Sequence, residues 1–124
     1  MNKKFVVVGL TLIFLTTLAV TAFANKDVTV RPGFYTAGDP SLGIMNIIYI
    51  GDRFGDNVPV SLHNLDREGR RPNQNAVWEG RGEYRDGYKI SVSGTFGGVS
   101  RAFELEVYSG TAIRYRGNIY RLMN

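Results

Sequence analysis

From Gly33 onward apolar and polar residues alternate with a period of two, and glycine-bearing turns interrupt the alternation at short intervals. No stretch of this part carries apolar residues at helical spacing over three turns, so the pattern predicts strands throughout. Eight are expected: Gly33 to Ala37, Ile44 to Ile50, Val58 to Asn64, Ala76 to Tyr84, Tyr88 to Phe96, Val99 to Tyr108, Ala112 to Arg116 and Ile119 to Met123.

The last five strands can be paired by requiring every apolar set to share one face, because a one-residue slip turns a strand inside out. A three-residue Arg85-Asp86-Gly87 loop sets Tyr84 opposite Tyr88, Gly82 opposite Ile90, Gly80 opposite Val92 and Trp78 opposite Gly94. A two-residue Gly97-Gly98 turn sets Phe96 opposite Val99, Gly94 opposite Arg101, Val92 opposite Phe103 and Ile90 opposite Leu105. A three-residue Ser109-Gly110-Thr111 loop pairs Val107 with Ile113 and Leu105 with Tyr115. Gly117-Asn118 then turns the chain so that Tyr115 faces Tyr120 and Ile113 faces Leu122.

The opposite face tests this register. One row across it reads Glu83, Lys89, Glu106, Arg114, Arg121, and its neighbour reads Arg81, Ser91, Glu104, Arg116. Opposed charges on a solvated face each favour pairing by roughly 0.2 to 1 kcal/mol, so these arginines are read as ladder partners. The first three strands are less regular; Pro59 inside Val58-Pro59-Val60 predicts an edge or bulged strand. Short consecutive turns favour an all-β, small antiparallel up-and-down barrel of about eight strands over two stacked sheets. Inward glycines at Gly80, Gly82 and Gly94 suit its strong coiling.

The residues before the strands have another meaning. Met1-Asn2-Lys3-Lys4 is polar and basic, Phe5 to Val20 is apolar apart from threonines and one glycine, and Ala22-Phe23-Ala24 is a small-x-small site. These are the parts of a secretory signal, with residues 1–24 removed and Asn25 as the first residue of a single domain over 25–124. The competing reading is an uncleaved anchor, which the threonines weaken. Cleavage leaves 100 residues and removes Lys3 and Lys4, lowering the net charge from +4 to +2. A nearly neutral exported domain is not expected to bind nucleic acid, and no stable membrane span is expected after cleavage. The compartment implied is periplasmic or secreted.

The 124-residue chain has no cysteine and one histidine, His63. That excludes disulfide scaffolds, thiol nucleophiles and cysteine metal sites, and no cofactor or metal is implied. His63 alternates with Val60 and Leu62 and is read as an outward, surface or loop residue. An enzyme is not expected, because nucleophile, base and paired-carboxylate constellations are almost absent.

The short strands and glycine turns, including Ala76-Val77-Trp78-Glu79-Gly80-Arg81-Gly82 and Tyr115-Arg116-Gly117-Asn118-Ile119-Tyr120, resemble in architecture the small exported barrels of the lipocalin-like group and of bacterial lysozyme inhibitors. The chain lacks the disulfide common in such inhibitors and is shorter than typical lipocalins, so no activity or site residue carries over.

Two constellations remain. Arg67, Arg70 and Arg71 cluster on the long polar Leu65 to Asn75 connection, suited to an acidic cleft on a protein partner or to anionic envelope material. Trp78 and Arg101 share an inward row across Gly94, suited to gripping an anionic or aromatic group at the barrel mouth, unless Trp78 merely fills the gap over Gly94. The first implies a noncatalytic exported barrel that binds an envelope or extracellular protein through its loops, inhibition of a hydrolase being one form of this. The second implies a small-ligand carrier.

Overall fold

A computed structural model describes residues 28–123; the expected signal segment, residues 1–24, and the expected new terminus at Asn25 lie outside the described residues. Eight antiparallel strands close into an up-and-down barrel in chain order: β1 (Gly33–Thr36), β2 (Ile47–Ile50), β3 (Asn57–Leu62), β4 (Trp78–Arg85), β5 (Lys89–Phe96), β6 (Val99–Ser109), β7 (Ala112–Tyr115) and β8 (Asn118–Leu122), with β8 returning to β1. Closure satisfies both edges of the sheet. Among the described residues, no helix is long and apolar enough to cross a membrane.

Alternation places the core inside. Ile48, Ile50, Val58, Val60, Leu62, Ile90, Leu105 and Ile113 are buried together with Tyr35, Tyr84, Tyr120 and Trp78. An eight-stranded barrel is only just wide enough for its own side chains, and here large aromatics fill it. Segments outside the strands cover both ends. At one end Val30 is buried, its amide donates to the Tyr84 hydroxyl at 3.2 Å, and the Tyr35 hydroxyl donates to the Arg31 carbonyl at 2.5 Å. At the other, Leu42, Ile44 and Met45 pack against the core from a 3₁₀ segment, Pro40–Asn46.

That 3₁₀ segment corrects the expected strand Ile44 to Ile50, which begins only at Ile47. Asp39 caps it by accepting from the Ser41 amide at 3.0 Å, Pro40 supplies a preset φ, and Gly43 turns left-handed at φ +57°. Pro59 is not on an edge strand: it pairs with Arg81 of β4 inside the closed barrel. Its carbonyl accepts from the Gly51 amide at 2.9 Å, so its missing donor faces the same way, past the end of β2, and no ladder bond to β4 is lost.

The β5–β6 register is the expected one, from Phe96↔Val99 through Gly94↔Arg101 to Ile90↔Leu105. Val107 pairs with Ile113, although a bulge between Val107 and Ser109 absorbs the residue that the three-residue loop was expected to hold. Two hairpins are displaced by two residues. Tyr84 pairs with Ile90 and Gly82 with Val92, and Ile113 pairs with Tyr120. In both, the left-handed pair of the turn ends on glycine, Asp86-Gly87 at φ +55° and +78° and Arg116-Gly117 at φ +47° and +82°, which moves each turn by one residue.

On the outer face Glu106 lies between Lys89 and Arg114, as expected, and contacts the Arg114 guanidinium. The rest of that row changes with the register: Arg85, not Glu83, stands beside Lys89, and Ile119, not Arg121, beside Arg114. Arg85 turns instead to Glu83 along its own strand at 3.6 Å.

Candidate functional site

The β3–β4 connection folds as a small ordered hairpin rather than a loose loop. Leu65 and Pro72 form a bridge, the Asp66 amide donates to the Arg71 carbonyl at 2.7 Å, and Gly69 takes the left-handed conformation at its tip. The Asp66 carboxylate accepts from the Arg70 amide at 3.0 Å, and this bond above all holds its pKa below the ordinary carboxylate range. An Asx-type bond of this kind fixes the turn that carries the arginines.

Arg67, Arg70 and Arg71 are all exposed and border one open cleft of about 630 Å³ with Asp66, Glu68 and Gln74. None of the three joins an ion pair among the described residues. The structure therefore brings this predicted cluster together, with its charge unspent, at one end of the barrel. Leu65, Val77, Phe96 and Val99 are exposed apolar residues at that same end. An apolar rim beside uncommitted guanidinium groups suits a partner surface that combines carboxylates with apolar side chains.

His63 anchors the hairpin, and its position corrects the surface reading. Its ring leaves the outer face, as alternation requires, but it is only 4% exposed. Nδ1 lies 2.6 Å from the Asn73 carbonyl and Nε2 2.7 Å from the Ser61 hydroxyl. The ring also meets Phe34 edge-on, with centroids 5.0 Å apart, and Phe34 packs against Tyr49 at 4.9 Å. These residues were not anticipated as part of the site. A signal existed: Phe34 and Tyr49 are paired outward aromatics, which need a cover, and His63 immediately precedes the longest connection.

Trp78 and Arg101 are placed differently. Gly94 faces Gly80, not Trp78: a Cβ on Gly94 would meet the Gly80 Cα at 2.8 Å. Trp78 pairs with Leu62, is 1% exposed and donates from Nε1 to the Val99 carbonyl at 3.0 Å. Its ring fills the space that side chains on Gly80 would take, where a Cβ would stand 2.2 Å from the indole. The indole is a core element. Arg101 is half-buried opposite Gly94, and its Nε is buried without an acceptor among the described residues.

Among the described residues no group of three His, Asp or Glu side chains is placed to hold a metal ion. No protein family, curated protein or solved structure matches the chain.

Proposed function

We propose that this chain is an exported, noncatalytic barrel that binds an acidic envelope or extracellular protein through the Leu65 to Asn75 hairpin. The observation that carries this reading is the pairing of an ordered backbone with unspent charge: Asp66 and His63 fix the hairpin, while Arg67, Arg70 and Arg71 project from it unpaired. A preformed loop loses little entropy on binding, and guanidinium groups recognise carboxylates in two-pronged geometry. Inhibition of an envelope-active hydrolase, as in the lysozyme-inhibitor barrels the architecture resembles, is one form this function takes.

A small-ligand carrier is the second reading, and the acceptor-less Nε of Arg101 is the observation in its favour. Such a ligand must enter beside Trp78, whose ring already occupies the interior over Gly80.

The test is affinity capture from envelope extract with residues 25–124, followed by binding measurements on the purified partner. Replacing Arg67, Arg70 and Arg71 by alanine should leave folding nearly intact, since surface changes cost within about 0.5 kcal/mol each, yet weaken binding and flatten its salt dependence. Unchanged affinity in this variant, with loss on Arg101→Ala, would move the site to the barrel mouth.

A further inference from the structure

The fold sets a hydroxyl beside an imidazole at the root of the arginine hairpin. Ser61 on β3 and His63 just after it are alternate residues, so both leave the outer face of the barrel. Their side chains meet, with Ser61 Oγ 2.7 Å from His63 Nε2. The other ring nitrogen, Nδ1, lies 2.6 Å from the Asn73 carbonyl oxygen, which can only accept. Nδ1 therefore holds the proton of the neutral ring, and the lone pair of Nε2 faces the Ser61 hydroxyl. A nucleophile, a base at hydrogen-bond distance and a third group that fixes the base form the arrangement that activates a serine.

We propose that Ser61 is an acyl-accepting nucleophile, with His63 as its base and the Asn73 carbonyl as the group that positions the imidazole. A cleft of about 360 Å³ gives access: Ser61, which is half-buried, and His63 line it together with Phe34, Tyr49 and Glu79. The Phe34 and Tyr49 rings, 4.9 Å apart, form an apolar wall, and Tyr49 pairs directly with Ser61 across β2 and β3. A short apolar or aromatic acyl group fits against that wall. In the transfer, Ser61 Oγ bonds to the acyl carbon as the bond from that carbon to the leaving oxygen breaks. The hydroxyl proton passes to Nε2 and from there to the departing oxygen. Glu79 stands across the β3–β4 ladder from Ser61, and the cleft is open to water; both work against stabilising negative charge on the acyl oxygen. The donor is therefore one already activated, an ester with a weakly basic leaving oxygen. A single transfer per chain needs no turnover, so this site goes beyond the hairpin's binding role without resting on it.

The test treats the purified exported chain with p-nitrophenyl acetate, follows nitrophenolate release and locates the acetyl group by peptide mass mapping. In the folded chain Ser61 should be acetylated roughly a hundredfold faster than the exposed Ser41 and Ser100, whose hydroxyls meet Asp39 and Thr95 rather than an imidazole. Unfolding in urea should abolish that preference. His63→Asn, which keeps an amide donor for the Asn73 carbonyl but supplies no base, should bring Ser61 down to the rate of Ser100. If that variant does not fold, the comparison of serines within the native chain decides. Acetylation of Ser61 no faster than of Ser41 and Ser100, acetyl groups on lysine alone, or an unchanged Ser61 rate in folded His63→Asn would overturn the proposal.

Discussion

His63 Nδ1 stands 2.6 Å from the carbonyl oxygen of Asn73, and this contact joins the barrel wall to the arginine hairpin. A carbonyl only accepts, so Nδ1 carries the proton, and in the neutral ring Nε2 accepts from the Ser61 hydroxyl. His63→Ala removes both bonds and leaves a buried gap beneath Phe34. The expected cost is about 1–3 kcal/mol in chemical denaturation. Faster amide exchange should accompany it at Asp66 and Asn73, whose amides donate to Arg71 and Asn64. Unchanged exchange at both amides would show that the hairpin holds itself.

The two displaced hairpins show what alternation can and cannot read. A slip of one residue exposes the core and is excluded by pattern, whereas a slip of two leaves every side chain on its own face. Gly97-Gly98 has two left-handed glycines, so the β5–β6 turn has one natural position. Asp86-Gly87 and Arg116-Gly117 each put an ordinary residue in the left-handed region, and the glycine alone does not say on which side the turn extends. The arginine cluster was legible because a long polar connection between strands must be exposed. Its anchoring was not, since His63 and Asn73 meet only when the chain between them folds back.

Gly80 is required by sterics. A Cβ there would stand 2.2 Å from the Trp78 ring and 2.8 Å from the Ser93 carbonyl. Gly80→Ala should therefore destabilise by about 1–3 kcal/mol, as overpacked cores do. Trp78→Phe removes the ring atoms involved, so the double variant should be less destabilised than the sum of the two single ones. A denaturation cycle measures the coupling; strict additivity would mean that the Ser93 carbonyl, not the indole, sets the limit.

Arg116 pays a backbone cost that its side chain does not recover. At φ +47° it sits where non-glycine residues are disfavoured by about 1–2 kcal/mol, and its guanidinium gains only an exposed contact 5.3 Å from the Tyr115 ring. Asn tolerates this conformation best among side-chain-bearing residues, and Asn-Gly is the favoured pair for such a turn. Arg116→Asn should raise stability by about 0.5 kcal/mol, read as a higher denaturation midpoint with an unchanged slope. A lower midpoint would assign Arg116 a packing role that outweighs its backbone.

The two innermost tyrosines separate a satisfied hydroxyl from an orphaned one. Tyr35 and Tyr120 are both fully buried, and burial is the largest cause pushing each pKa from 10.0 to about 12. Tyr35 donates to the Arg31 carbonyl, whereas the Tyr120 hydroxyl has no partner among the described residues. Tyr35→Phe should thus cost about 1 kcal/mol, and Tyr120→Phe should be neutral or stabilising, because it removes a desolvated group that gains nothing in return. The same burial predicts an alkaline limit. Below pH 10 both phenols are neutral folded or unfolded, and the stability is intact. Between pH 10 and 12 the unfolded chain releases these protons while the barrel keeps them, so stability falls by about 1.4 kcal/mol per pH unit for each tyrosine. Urea midpoints across that range should decline steeply in the native chain, about half as steeply from this source in either single Phe variant, and least in the double. If the double variant declines as steeply as the native chain, the alkaline loss comes from lysine or from the partly exposed tyrosines instead.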